Sequence, residues 1–129
     1  MQTTKKLFAS IIASSLVLLM ACTKNTDLTT YTVEYRIENA DEYLRTIKYM
    51  DASKNMVMLG DAADFPGGFT TITVTKPFVA ELEVYAENRS VQSRIYRLLV
   101  LVDGVPVANE TLYVPIFDEG SANVKFELK

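Results

Sequence analysis

The stretch FVAELEVYAEN, residues 78–88, decides the fold class, because its side chains alternate between apolar and polar. Apolar residues recur at every second position from Phe78 to Ala86, while the alternate positions from residue 81 to 87 hold Glu81, Glu83, Tyr85 and Glu87. Successive side chains of a β-strand point to opposite faces, so this pattern predicts a strand with one buried face and one solvent-exposed face, the wet face.

Period-two patterning continues on both sides of this strand. Turn residues separate the runs, and Asp103-Gly104 favours positive φ at both positions of a two-residue hairpin. Pro106 and Pro115 cannot donate to a ladder, so the strand between them is predicted at a sheet edge. The further predicted strands are YTVEYRIE (31–38), LRTIKYM (44–50), MVML (56–59), FTTITVT (69–75), RIYRLLVLV (94–102), VPVANETLYV (105–114) and NVKFELK (123–129).

Seven or eight short strands, with no helical periodicity beyond residue 30, predict a single all-β domain over residues 31–129. Two packed antiparallel sheets of the immunoglobulin-like kind suit about 100 residues with this turn spacing. An eight-stranded barrel is the alternative, although the predicted strands are uneven in length. RIYRLLVLV is the most apolar run and is expected to be a central strand.

The N-terminal stretch KKLFASIIASSLVLLMAC, residues 5–22, has the layout of a secretory signal peptide. Lys5 and Lys6 precede 15 uncharged residues, Leu7 to Ala21. A membrane-spanning helix needs about 20 apolar residues. A core helix would show a polar stripe, which is absent here. Residues 1–21 are therefore predicted to be removed.

The end of this stretch, LLMAC, resembles a bacterial lipobox. The resemblance implies cleavage between Ala21 and Cys22, with lipid attached to the Cys22 thiol. Several acyl chains anchor a protein stably, whereas one does so marginally. An ordinary cleaved signal that leaves a free cysteine is the alternative. Residues 22–30 are expected to form a polar tether reaching about 26 Å from Cys22 when extended.

Composition excludes several function classes. Without residues 1–21 the chain keeps 11 basic and 16 acidic residues, a net charge of −5, so nucleic acid binding is not expected. Histidine is absent and Cys22 is the only cysteine, which removes the commonest general base and leaves only carboxylates for a metal. No cofactor is predicted.

Three segments together resemble the MmpS-like β-sandwich domains of bacterial envelope proteins: IKYMDASKN (47–55), LEVYAEN (82–88) and LLVLVDGVPVANE (98–110). In mycobacterial members the domain is a periplasmic accessory of lipid-exporting transporters, held by a transmembrane helix. The resemblance implies no catalytic residues, and here a lipobox stands in place of the helix.

The loop GDAADFPGG, residues 60–68, is the first candidate binding site. Asp61 and Asp64 beside Phe65 could form a recognition loop or a calcium site, since carboxylates suit a hard cation. The calcium-loop spacing is missing, which favours a solvated turn with Phe65 tucked into the core. Asp103, at the hairpin tip, is the remaining candidate binding residue.

The glutamates Glu81, Glu83 and Glu87 share one strand face, and Arg94 and Arg97 are expected to lie opposite them. Paired carboxylates are used in glycoside hydrolysis. Cross-strand charge pairing on a wet face is the favoured interpretation.

Two weaker patterns complete the list. The tripeptides Asn88-Arg89-Ser90 and Asn109-Glu110-Thr111 match the acceptor pattern for N-glycosylation. In a chain expected to be a bacterial lipoprotein, both matches are interpreted as chance. Six tyrosines would build a binding face only if several shared one exposed side, and half-buried packing is favoured. They are Tyr31, Tyr35, Tyr49, Tyr85, Tyr96 and Tyr113.

These observations predict a lipid-anchored protein of the bacterial cell envelope, with the outer membrane as the expected location. Its sandwich is expected to act as a non-catalytic module for an envelope protein or glycan. An accessory subunit of a lipid or small-molecule exporter is the first alternative, and an enzyme acting through Glu81 or Glu83 is the second.

Overall fold

A computed structural model describes residues 29–129 of the chain. The predicted signal peptide, Cys22 with its predicted lipid, and most of the predicted tether lie outside the described residues. Eight β-strands follow one another, with two short 3₁₀ turns, Ala62–Asp64 and Pro66–Gly68, between the third and fourth. The strands are β1 (Thr30–Glu38), β2 (Leu44–Met50), β3 (Met56–Leu59), β4 (Phe69–Thr75), β5 (Phe78–Glu87), β6 (Arg94–Val102), β7 (Val105–Val114) and β8 (Glu119–Leu128).

The strands form two antiparallel four-stranded sheets, with orders β4-β1-β6-β7 and β3-β2-β5-β8. This confirms the predicted all-β sandwich with eight strands. The prediction that β6 is central and β7 lies at an edge is also confirmed. The lateral order is not that of a constant-type immunoglobulin domain, because β1 pairs with β4 and β6 rather than with β2.

The core lies between the sheets and is built from the apolar sides of the alternating strands. On β5, the residues from Phe78 to Ala86 that were predicted to face inward are all buried. Tyr35 and Tyr96 are fully buried, and each hydroxyl has a partner: Tyr35 donates to the carbonyl of Met50 (2.8 Å) and Tyr96 to Asp41 Oδ1 (2.6 Å).

Strand β8 is longer than predicted. It begins at Glu119 rather than Asn123, and its first residues pair with the end of β5, from Glu87↔Glu119 onward. Residues 119–122 include Gly120 and Ser121, which have low strand propensity, so the local sequence did not indicate a strand there. Pairing with β5 overrides that preference.

Strand register places the connections at two opposite ends of the sandwich. Thr30 pairs with Thr75, and the backbone N–H of Asp103 donates to the carbonyl of Thr32 (2.8 Å), so the hairpin lies beside the start of β1. This end, which also holds Lys76-Pro77 and residues 51–55, is the proximal end, where the chain enters the domain. The distal end comprises the connections 39–43, 60–68, 88–93 and 115–118.

Candidate functional site

The loop at residues 60–68 is an ordered part of the distal end. Asp61 Oδ1 accepts a hydrogen bond from the Ala63 N–H (2.7 Å) and so caps the first 3₁₀ turn. Phe65 is buried, and its ring lies against Tyr49 with centroids 6.3 Å apart. This geometry agrees with the interpretation of a turn that buries Phe65, which leaves that ring unavailable to a ligand.

Gly68 holds this loop close to the end of β1. Its φ is +76°, and a Cβ added there would lie 2.7 Å from the carbonyl oxygen of Ile37. Only glycine accepts both the left-handed backbone and this approach. The resulting concavity between the loop and the β1–β2 connection has a volume of about 730 Å³.

The four candidate binding residues do not form one site. Asp61, Asp64 and Phe65 lie at the distal end, whereas Asp103 lies at the proximal end, where its Oδ1 accepts a hydrogen bond from the Thr32 N–H (2.8 Å). Positive φ at Asp103 (50°) and Gly104 (80°) agrees with the predicted hairpin turn. Within residues 29–129, no three His, Cys, Asp or Glu side chains are grouped so as to hold a metal ion.

The prediction that Arg94 and Arg97 lie opposite the glutamate ladder is wrong. Strand β5 pairs with β2 and β8, while β6 belongs to the other sheet. Glu81 is instead 3.6 Å from Lys125 Nζ and accepts a hydrogen bond from Asn123 Nδ2 (2.8 Å). The favoured interpretation, charge pairing across strands, holds with different partners.

The six tyrosines do not share an exposed face. Tyr35 and Tyr96 are core residues, and of the six only Tyr113 is exposed. Tyr85 lies on the wet face of β5, where its hydroxyl donates to Glu119 (2.6 Å) and Glu87 (3.1 Å). The bond to Glu119 raises the pKa of Tyr85, and the bond from Tyr85 is the main cause that lowers the pKa of Glu87.

An apolar patch at the distal end was not anticipated from the sequence. Ile95 on β6 and Tyr113 on β7 are directly paired and therefore project from the same outer face of their sheet. The connections beside them add three more apolar side chains. These five exposed residues, here grouped under the name apolar patch, are Val91 (76% exposed), Ile95 (52%), Tyr113 (58%), Ile116 (52%) and Phe117 (68%). Ile95 and Tyr113 face outward from one sheet, whereas Phe117 lines a concavity with Glu87 and Arg89.

Asn88 ties together the two connections that carry the patch. It is 1% exposed, and its Nδ2 donates to the carbonyls of Gln92 (2.8 Å) and Pro115 (3.0 Å), with Val114 at 3.3 Å. Its Oδ1 accepts from the N–H (3.0 Å) and hydroxyl (2.7 Å) of Ser90. The Asn88 tripeptide is thus a structural element, and its amide group is turned into the domain.

Phe117 is displayed by an unusual backbone conformation. Its φ is +52°, and the Asp118 N–H donates to the Pro115 carbonyl (3.3 Å) across the turn that contains it. Glycine or asparagine is usual at such a position, and a bulky residue there is an outlier. The turn therefore holds a strained aromatic side chain out of the core and into solvent.

Ion pairing is uneven at this end of the molecule. Each of the five arginines in residues 29–129 lies within 4 Å of a carboxylate. The partners are Glu34, Glu38, Asp41 and Glu87, and Glu87 serves both Arg45 and Arg89. Several distal carboxylates have no ion-pair partner within the same residues: Glu42, Asp61, Asp64, Asp118 and Glu119. The distal end therefore carries excess negative charge.

The sequence contained one signal for the patch. Turns between strands are normally polar, but Pro115-Ile116-Phe117 places two large apolar residues between β7 and β8.

No protein-family model and no curated protein matches the chain. Within the described residues, no helix combines the length and apolar character required to cross a bilayer.

Proposed function

We propose that this chain is a lipid-anchored bacterial envelope protein whose β-sandwich is a non-catalytic interaction module. The anchor is Cys22, at the lipobox-like LLMAC, and the module presents its distal end for binding. The observation that carries the proposal is the separation of the two ends. The chain enters at the proximal end, whereas six of the ten large exposed apolar side chains, and five carboxylates without an ion-pair partner in residues 29–129, lie at the distal end.

This arrangement suits an anchored binding protein. The eight residues from Thr23 to Thr30 link Cys22 to the start of β1 and span at most about 26 Å when extended. The proximal end would therefore stay near the lipid. The distal connections would then face away from the membrane. Large exposed apolar patches on soluble domains commonly mark interaction sites.

The wet face of β5 supports a non-catalytic role. Glu81 is engaged by Lys125 and Asn123 on an open sheet surface, and Glu87 by Arg89, at 3.3 Å, and Tyr85. General acid catalysis by a carboxyl group requires a raised pKa, whereas the pKa of Glu87 is lowered. Charge pairing accounts for these residues without a reaction.

The test of the anchor is membrane fractionation of Cys22→Ala beside wild type and Thr26→Ala, a tether substitution that keeps the cysteine. We expect wild type and Thr26→Ala in the membrane fraction and Cys22→Ala released from it. Mass spectrometry of the purified chain should find an acylated N-terminal cysteine. Membrane attachment of Cys22→Ala, or an unmodified thiol in wild type, would contradict the proposal. Co-purification with an inner-membrane transporter would favour the accessory-subunit alternative.

A further inference from the structure

We propose that Met50, Met56 and Met58 form a binding site for a soft monovalent cation, with Cu(I) as the ligand. This inference goes beyond the proposed function and does not depend on the anchor, because all three residues belong to the β-sandwich. Thioether sulfur is a soft ligand that selects Cu(I), so the lack of histidine and of a second cysteine does not exclude such a site.

The register of β2 and β3 places the three thioethers on one face of their sheet. Met50 is directly paired with Met56, and Met58 is paired with Lys48, two residues before Met50. Directly paired residues, and residues two apart on one strand, have side chains on the same face. The three methionines therefore occupy the outer face, opposite to that of the fully buried Ile47.

This placement lets the three sulfur atoms share one ion. Directly paired residues such as Met50 and Met56 have Cβ atoms about 4.5–5.5 Å apart, and diagonal neighbours such as Met50 and Met58 about 7 Å. Residues two apart on a strand, such as Met56 and Met58, are also separated by about 7 Å. Methionine side chains are long and adaptable, so their sulfur atoms can converge on an ion above this triangle.

Packing does not account for the exposure of these residues. Methionine commonly fills irregular gaps in a core, but Met56 is 41% and Met58 is 68% exposed. They lie on an edge strand, where charged side chains commonly occupy exposed positions. All the methionines of residues 29–129 are in this one hairpin. Binding of a soft cation gives the exposed sulfur atoms a role.

The turn between β2 and β3 fixes the positions of the ligands. Asp51 Oδ1 accepts hydrogen bonds from the N–H groups of Ser53 and Asn55, both at 2.9 Å. The Asp51 N–H in turn donates to the carbonyl of Asn55 (2.8 Å). Met50 and Met56 directly flank this turn, so their backbone is held in place before an ion binds. Sites built on strands are more precise than sites built on loops.

The surroundings favour a monovalent ion. Lys48 is paired with Met58, and its positive charge repels a divalent cation about twice as strongly as a monovalent one at the same distance. On the wet face of β5, Glu81 is 3.6 Å from Lys125, and Glu83 is paired with Lys48. The three ligands include neither the carboxylates that calcium prefers nor the imidazole or thiolate groups that zinc prefers.

The experiment titrates Cu(I), without oxygen, into the full processed chain in detergent, in competition with a chromogenic Cu(I) chelator. A second series adds Ag(I), a soft ion that is stable in air, and follows the ¹³C-labelled methionine methyl groups by NMR. The variants are Met50→Leu, Met56→Leu, Met58→Leu and the triple variant, because leucine keeps a similar volume and removes the sulfur. Val105→Leu is the matched control, since Val105 is 60% exposed and lies in the other sheet.

We expect the triple variant to take one Cu(I) ion per chain fewer from the chelator than wild type and Val105→Leu. The triple variant keeps Cys22, so an ion held by that sulfur would be present in every chain compared. Each single variant should weaken binding by about tenfold or more, because loss of a group that only supports a ligand already has an effect of that size. Ag(I) should shift the methyl resonances of all three methionines together, and zinc(II) should not displace Cu(I).

Three results would overturn the inference: Cu(I) uptake by wild type no greater than by the triple variant, displacement of Cu(I) by an equal concentration of zinc(II), or Ag(I) shifts confined to one methyl group. Circular dichroism shows whether each variant keeps its fold, and the Ag(I) series on wild type tests the site even where a variant does not. No readout depends on lipid attachment, so failure of this site and failure of the anchor are distinguished.

Discussion

Replacing Asn88 by alanine should destabilise the domain strongly, because it removes a buried side chain that joins two distal connections. The side chain is 1% exposed and makes three hydrogen bonds of 3.0 Å or less to backbone groups, at Gln92, Pro115 and Ser90. A buried hydrogen bond contributes roughly 1 kcal/mol, so Asn88→Ala should lower the free energy of unfolding by about 3 kcal/mol. For a domain of about 100 residues this corresponds to a fall in Tm of roughly 12–20 °C.

The assay is urea denaturation followed by far-UV circular dichroism, because the chain has no tryptophan to serve as a fluorescence probe. The matched control is Asn109→Ala, which removes the exposed asparagine of the other acceptor tripeptide. Its effect should stay within about 0.5 kcal/mol, as for most surface substitutions. An unfolding free energy of Asn88→Ala within about 1 kcal/mol of that control would refute the assignment of Asn88 as the tie between the two connections.

Two further predictions concern the tyrosines and the strained turn. Burial raises the pKa of Tyr35 and, aided by the hydrogen bond to Asp41, that of Tyr96. The unfolded chain therefore loses these protons first, and the free energy of unfolding should fall as pH rises above about 10, by up to roughly 1.4 kcal/mol per pH unit for each buried tyrosine. Tyr35→Phe should reduce that slope in urea titrations between pH 9 and 12, and an unchanged slope would contradict the effect of burial. Phe117→Asn should raise the free energy of unfolding by about 1 kcal/mol, because asparagine tolerates the left-handed conformation; destabilisation in the same urea assay would show that the ring is held by contacts.

The faces of the strands could be predicted from sequence because they depend on local alternation. Along β5, burial switches at every residue from Ala80 to Glu87 as the apolar pattern requires. The hairpin at Asp103-Gly104 was equally local, since two residues with positive φ suffice to define it. Each of these features is encoded within about ten consecutive residues.

Strand partners could not be predicted in this way, because lateral order depends on residues far apart in the chain. Glu81 was expected to face Arg94 or Arg97, which follow within 16 residues, yet it contacts Lys125, 44 residues away. The short β5–β6 connection crosses from one sheet to the other instead of forming a hairpin. No local pattern distinguishes these two outcomes.

Asn88 illustrates a second limit. An asparagine at the end of a strand is usually interpreted as a solvated turn residue. Here the carbonyls of Gln92 and Pro115 converge on the same point from two separate connections, and only a side chain with paired donors can satisfy them. The need for Asn88 is therefore set by the tertiary arrangement.

Within residues 29–129, residues with positive φ occur at both ends of the sandwich, and Phe117 is the one aromatic residue among them; the others are Asn39, Lys54, Gly67, Gly68, Asp103 and Gly104. At the proximal hairpin the residues with positive φ are Asp103 and Gly104, which adopt that conformation at low cost. At the distal turn the residue is Phe117, for which it costs of order 1 kcal/mol or more, and the ring gains no burial in return. Both the conformation and the exposure of Phe117 lower the stability of the isolated domain, and local violations of this kind concentrate at functional sites. A partner that covers the ring would recover the free energy that the isolated domain forgoes.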